Sequence, residues 1–226
     1  MRKLRILVVL SLLALLSSIS LALGPVDVEA GIVYWDSETD FSLGSMSESY
    51  DSEDISYFAE GWFGKWGVKG AVYNVEFDDS GKEGDLDIEF TSLDLRRKLF
   101  APTENNFFAL GIGWEKIKID TGDDSIDSNG LRLAAEGRIG LVGMLYIYGD
   151  ASYYFSLDDF DNEVTNPDGW ELEFGLSYKP APFVNLRAGY RTSSLDFDIG
   201  FGETRGGNPS GSFEPSGFLA GVSINF

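Results

Sequence analysis

The chain contains no histidine and no cysteine. The first absence removes the usual general base and the commonest metal ligand near neutral pH. The second excludes a disulfide framework and any thiolate metal site. Basic residues are scarce, with 17 Lys and Arg against 37 Asp and Glu and a net charge of −20. Nucleic acid is therefore not expected as a partner, because binding it needs clustered Lys and Arg. Beyond residue 25 no segment sustains an apolar period near 3.6, so no helical core is expected.

A long uncharged run, Ile6 to Leu23, follows Arg2, Lys3 and Arg5 and ends on the small residues Ser20 and Ala22. A basic start, a short apolar core and a small-residue exit read as a signal peptide over 1–22, cleaved after Ala22. A spanning anchor fits less well, since the run barely reaches the length a membrane helix needs. Residues 23–226 then form one domain, with 14 basic residues against 37 acidic ones and a net charge of −23.

What fills that domain is period-two alternation, which predicts strands with two different faces. Ten segments show it. Val26 to Trp35 sets Val26, Val28, Ala30, Ile32 and Tyr34 against Asp27, Glu29 and Gly31, and a polar loop over 36–54 follows. Tyr57, Ala59, Gly61 and Phe63 oppose Ser56 and Glu60 before a tight turn at 64–67. Ala71, Tyr73, Val75 and Phe77 then oppose Gly70, Val72, Asn74 and Glu76. After an acidic loop over 78–85, Leu86, Ile88 and Phe90 are followed by Leu93 and Leu95. That slip of one residue near Thr91 and Ser92 predicts a β-bulge.

Pro102 closes the fourth segment, and Phe108, Leu110, Ile112 and Trp114 mark the fifth. A loop over 120–128 leads to the sixth, where Leu131, Leu133, Ala135, Ile139 and Leu141 oppose Arg132, Glu136 and Arg138. Val142-Gly143 reads as a two-residue hairpin connection. Leu145 to Phe155 gives the seventh, and a loop over 156–168 precedes Trp170 to Tyr178. Pro180-Ala181-Pro182 turns the chain into Val184 to Arg191, and a Gly-rich loop to about 215 leads to the tenth.

The last segment, Gly217 to Phe226, alternates to the final residue. Phe218, Ala220, Val222, Ile224 and Phe226 alternate with Leu219, Gly221, Ser223 and Asn225. Gly221, Ile224 and Phe226 resemble the C-terminal assembly signal of outer-membrane β-barrels, while Leu219 stands where that signal usually has a polar residue. The alternation of long acidic loops with tight turns is similar to that of OmpA-like and OmpX-like barrels. The resemblance implies an all-β, transmembrane, antiparallel up-and-down barrel in the Gram-negative outer membrane, ten strands with eight as the alternative. Both termini would then be periplasmic. Aromatics fall in two belts, Tyr34, Tyr57, Phe77, Tyr153 and Trp170 at loop ends and Phe63, Phe108, Tyr178 and Phe226 at turn ends, as at membrane interfaces. The partners implied are outer-membrane lipid, lipopolysaccharide and the assembly machinery.

Facing the lumen, the alternation places Glu29, Glu60, Glu76, Asp94, Arg96, Glu115, Arg132, Glu136, Arg138, Asp150, Glu171, Glu173, Arg187 and Arg191. In a narrow barrel such charges must pair, because an unpaired charge away from water costs several kcal/mol. Two readings stay open: a salt-bridged plug in a structural or surface-interaction barrel, or a narrow porin-like channel for small polar solutes or ions. Enzymatic activity is not expected, since the lipid A enzymes and phospholipases among small barrels generally use His with Ser or Asp. No cofactor and no defined metal site are expected. The loop acids Asp36, Glu38, Asp40, Glu48, Asp51, Glu53, Asp54, Asp120, Asp123, Asp124, Asp127, Asp158, Asp159, Asp161, Glu163 and Asp168 would attract divalent cations weakly.

Overall fold

The alternating segments pair edge to edge and close on themselves. The computed structural model describes residues 26–77, 86–103, 106–121, 124–160, 164–200 and 210–226. Among them run ten strands: β1 Val26–Leu43, β2 Met46–Phe63, β3 Trp66–Phe77, β4 Leu86–Thr103, β5 Asn106–Asp120, β6 Ser125–Gly140, β7 Leu145–Leu157, β8 Val164–Ala181, β9 Val184–Ile199 and β10 Ser210–Asn225. Each pairs antiparallel with its sequence neighbour, and β1 closes the barrel onto β10. The expected signal peptide, the 78–85 loop, Asp123, Asp161, Glu163 and the side chain of Phe77 lie outside the described residues.

Three of the expected loops are largely strand. β1 and β2 pair continuously up to Leu43 and Met46, so 36–54 is a long hairpin closed at Gly44-Ser45, not a loop. Gly44 adopts a φ of 59° there, a conformation that favours glycine. Likewise β5 and β6 pair as far as Asp120 and Ser125, and β9 continues to Ile199. The loop expected over 156–168 shrinks too, because β7 runs to Leu157 and β8 starts at Val164. A strand of 18 residues reaches roughly 60 Å, well beyond the ~30 Å hydrocarbon layer. The barrel therefore projects past the membrane at the end opposite its short turns.

The expected bulge at Thr91 and Ser92 is absent. β4 stays in register with β3 and β5 through both residues, and its shifts lie instead at Lys98, Phe100 and Thr103. What changes is polarity and not phase: Ile88 and Phe90 face inward and buried, while Leu93 and Leu95 face outward with Asp94 and Arg96 inside. The third strand needs a similar correction. Ala71, Tyr73 and Val75 face in, whereas Val68 and Trp66 face out. Val142-Gly143 is part of a longer connection over 141–144, in which the Leu145 N–H donates to Val142 O at 3.2 Å.

These inversions have one cause. Near the projecting end the interior is apolar, and Val33, Trp35, Phe58, Tyr73, Val75, Ile88, Phe90, Ile117, Tyr154, Leu195, Phe213 and Leu219 pack into one cluster. Each such side chain removed from water stabilises the fold by about 1.5–3 kcal/mol. Outside that cluster stand Asp36, Glu38 and Asp40. Toward the other end the pattern reverses, with Phe108, Leu110, Ile112 and Trp114 on the outer wall and charge within.

Candidate functional site in the barrel interior

The interior charges arise because β-strands alternate: every second residue of β1, β4, β6, β8 and β9 in the membrane half points into the space that the ten strands enclose. Arg138 on β6 pairs with Glu60 of β2 in a short contact, with Glu136 at 3.1 Å and with Glu29 of β1 at 3.5 Å. Glu136 then holds Arg96 of β4 at 2.9 Å, and Arg96 holds Asp94 at 2.6 Å. Asp94 reaches Arg132 at 2.9 Å, and Arg132 reaches Glu171 of β8 at 2.8 Å. Glu171 engages Arg191 of β9, which lies 3.4 Å from Glu173. Glu173 faces Arg187 at 3.8 Å, and Arg187 returns to Glu29 at 2.9 Å.

The chain of contacts thus closes on itself. Arg138, Glu136, Arg96, Asp94, Arg132, Glu171, Arg191, Glu173, Arg187 and Glu29 form a ring in which base and acid alternate. Its links cross the lumen, since β1 and β6 stand on opposite sides of the barrel. Side branches attach Asp150 and Lys69 to Arg96, and Glu115 to Arg132. Gly113 makes room for the ring: a Cβ there would sit 2.0 Å from Asp94 Oδ1.

Neutral groups satisfy what the ions leave over. Glu29 accepts hydrogen bonds from Ser223 at 2.6 Å and Asn185 at 3.0 Å. Glu171 accepts from Ser152 at 2.9 Å and Tyr154 at 3.2 Å, and Glu173 from Tyr73 at 2.9 Å. Such additional bonds are what let a buried ion network offset its desolvation. The Arg191 guanidinium also lies 3.5 Å from the Tyr73 ring centroid, a cation–π contact. On the turn side, Lys98 sits 4.2 Å from the Trp62 ring and 4.5 Å from that of Phe107.

Thirteen of the fourteen expected lumen charges meet in this interior; Glu76 does not. It stands exposed on the outer face of β3, because the phase of that strand is the reverse of the one expected. The same error hid Lys69, which faces inward and bonds Asp150 at 2.6 Å. Had Trp66 and Val68 been read as the lipid side, Lys69 would have followed as a lumen residue. Among the loop acids, Asp120 pairs with Lys118 and Asp127 with Lys116. Among the described residues no group of three or more Asp or Glu is arranged to hold a metal ion.

A family model described as the outer membrane protein β-barrel domain matches residues 30–226. The chain belongs to that family. No curated protein matches it by sequence. Its fold is similar to that of the Escherichia coli outer-membrane protease OmpT, at 8% identity over 91% of this chain and 98% of that one, with a TM-score of 0.56. It is also similar to neisserial surface protein A, at 16% identity over 89% and 97% and a TM-score of 0.38. A third similar structure is the transport unit of the E. coli autotransporter AIDA-I, at 12% over 88% and 90% and a TM-score of 0.45.

As an outer-membrane barrel of Gram-negative type, the molecule has its short turns, the start of β1 at Val26 and the end of β10 at the periplasmic end. The described belt residues face outward: Tyr34, Tyr57, Tyr153 and Trp170 part-way up the strands, below the projecting section and not at loop ends, and Phe63, Phe108, Tyr178 and Phe226 near the turns. Ile224 and Phe226 point to lipid, while Gly221 faces in, where a Cβ would lie 2.7 Å from Ile32 O and 3.2 Å from Arg187 Cγ. Leu219, the departure from the expected terminal pattern, faces inward as part of the apolar cluster.

Proposed function

We propose that this outer-membrane barrel is closed along its axis and serves a structural or surface-interaction role rather than conducting solutes. The observation that carries the reading is the ring of alternating Arg and carboxylate groups, whose links span the lumen from β1 to β6. The apolar cluster stacked on its external side supports the same reading, because ions entering it would lose hydration without finding a partner. We read no catalysis into the interior. OmpT is named as a protease, but this chain contains no His, and the carboxylates of the ring are engaged by Arg.

Gly221, Ile224 and Phe226 serve, in this reading, as the assembly signal presented to the barrel-assembly machinery. Lipopolysaccharide is the partner of the acidic outer wall, bridged weakly by divalent cations. Planar-bilayer recording tests axial closure: the parent protein should show little or only flickering conductance. Steady conductance in the parent, with an Arg138→Ala variant altering only ion selectivity, would make the narrow channel the right description.

A further inference from the structure

The barrel wall is not uniform around its circumference. The ladder between β2 and β3 ends at Tyr57↔Val72, although both strands continue toward the external end. Past that rung, among the described residues, a side chain joins the two strands: the Glu76 backbone N–H donates to the Asp54 carboxylate at 2.9 Å. Ser52 donates to the same carboxylate at 2.6 Å. Every other neighbouring pair of strands with described external ends carries its ladder further, save β7 and β8, whose ladder stops at Tyr154↔Gly169. The seam opens immediately above Tyr57, an outward aromatic of the external belt. That height is where an interrupted ladder is tolerated, since unpaired sheet edges do not occur within the hydrocarbon layer.

Behind the seam lies the apolar cluster. Trp35 of β1 and Tyr73 of β3 meet edge to face there, with centroids 6.2 Å apart at 87°, so their rings join over the inner face of β2. Three polar atoms on the inner face of β1 and β2 have no hydrogen-bond partner in the protein: Trp35 Nε1, Thr39 Oγ1 and Ser56 Oγ. Their residues are at most 1% exposed. Ser56 is the first residue past the last rung, and Trp35 pairs in register with Asp54. Each such group forgoes about 1–3 kcal/mol when buried without a partner. Ser56 and Trp35 on successive inward rungs, with Thr39 two inward rungs further out, place a polar foothold beside an interruption in the wall and at the edge of the apolar cluster.

We propose that the β2–β3 seam is a lateral binding site for an amphiphile with an apolar body and one uncharged hydrogen-bonding head. The head is held by Trp35 Nε1 and Ser56 Oγ, and the body lies among Trp35, Tyr73, Val75 and Phe90. The head is uncharged because the groups that meet it are neutral, and a buried charge would need a charged partner. Acids at the rim, Glu53 and Asp54, disfavour anions further. Access is sideways, from the external membrane surface, so the site stands or falls independently of axial closure.

Decanol and decane share an apolar body and differ in the head, and they serve as probes of the full-length protein labelled with ¹⁵N at its tryptophan indoles. The Trp35 indole N–H resonance, identified by its loss in Trp35→Phe, should shift saturably with decanol and stay in place with decane. A disulfide between Ile55→Cys and Asn74→Cys, introduced into a chain with no other cysteine, should weaken the decanol response about tenfold or more, or about 1.4 kcal/mol. Reduction should restore it. Ser56→Leu, which fills the foothold without any disulfide, should weaken it likewise. A Trp35 resonance that decanol leaves unmoved, or that responds equally in the parent and in Ser56→Leu, would overturn the proposal.

Discussion

Within the same ten strands, the membrane half and the external half solve opposite problems. In the membrane half the outer wall is apolar and the interior ionic; in the external half the interior is apolar and the wall acidic. Ile112 and Ile117 make the contrast on a single strand. Ile112 faces outward at 49% exposure, and five residues further along β5 Ile117 faces inward at 0%. An odd step in an unbroken strand takes one to the lipid and the other to a water-excluding core. The strand does not change phase, but the solvent around it changes. The difference teaches that polarity in such a barrel reports height along the axis as much as facing.

The largest way to break the comparison is to remove a charge from the membrane half. Arg138 holds Glu29, Glu60 and Glu136, so Arg138→Ala should cost roughly 3–5 kcal/mol where the site is dry. Urea unfolding of the detergent-solubilised protein measures this, and a loss under about 1 kcal/mol would mean that water already reaches the ring.

Next in size is the apolar half. Ile117→Ala should cost about 2–5 kcal/mol through lost burial plus a cavity, while Ile112→Ala should cost less because lipid fills the space. The same unfolding assay compares the two, and equal costs would erase the distinction between the halves.

A smaller effect concerns the acidic outer wall. Asp36 faces Glu53 and Glu38 faces Asp51 across the β1–β2 hairpin, and like charges directly opposite each other destabilise a sheet. The double variant Asp36→Asn, Glu53→Gln should therefore raise stability by a few tenths of a kcal/mol, about the size of an exposed pair. Thermal melts at low and high salt would show the gain shrinking as ionic strength rises. Smallest of all, neutralising Asp124 should leave the melting temperature unchanged, because its described contacts are local to the turn at Thr121 and Ser125.

Much of this was legible in the sequence. Ten strands, with eight as the alternative, were legible in the alternation, and the closing of β10 onto β1 in the resemblance of the last strand to outer-membrane barrels; together they give the inward placement of residues such as Arg132, Glu171 and Arg187, because charge on one face of a membrane strand has only the lumen to go to. The external half was harder to read. Ile88 and Phe90 looked like lipid-facing residues out of step with Leu93, and a bulge was the natural account; they are in step and face a second core. Ala71, Tyr73 and Val75 misled for the same reason, which cost Lys69 and misplaced Glu76. Leu219 carried a clue to that core. The ring itself was not legible, since links such as Glu29 to Arg138 join strands far apart in sequence and depend on barrel width.

Single-channel recording of three variants tests the two-layer account most directly. Arg138→Ala disrupts the ring, Phe90→Ser opens the apolar layer, and the third variant carries both substitutions. If the two halves close the lumen independently, each single variant should stay near the silent baseline and the double variant should conduct in discrete steps. Stepwise conductance from Arg138→Ala alone would contradict the account, because it would leave the apolar layer with no part in closing the barrel.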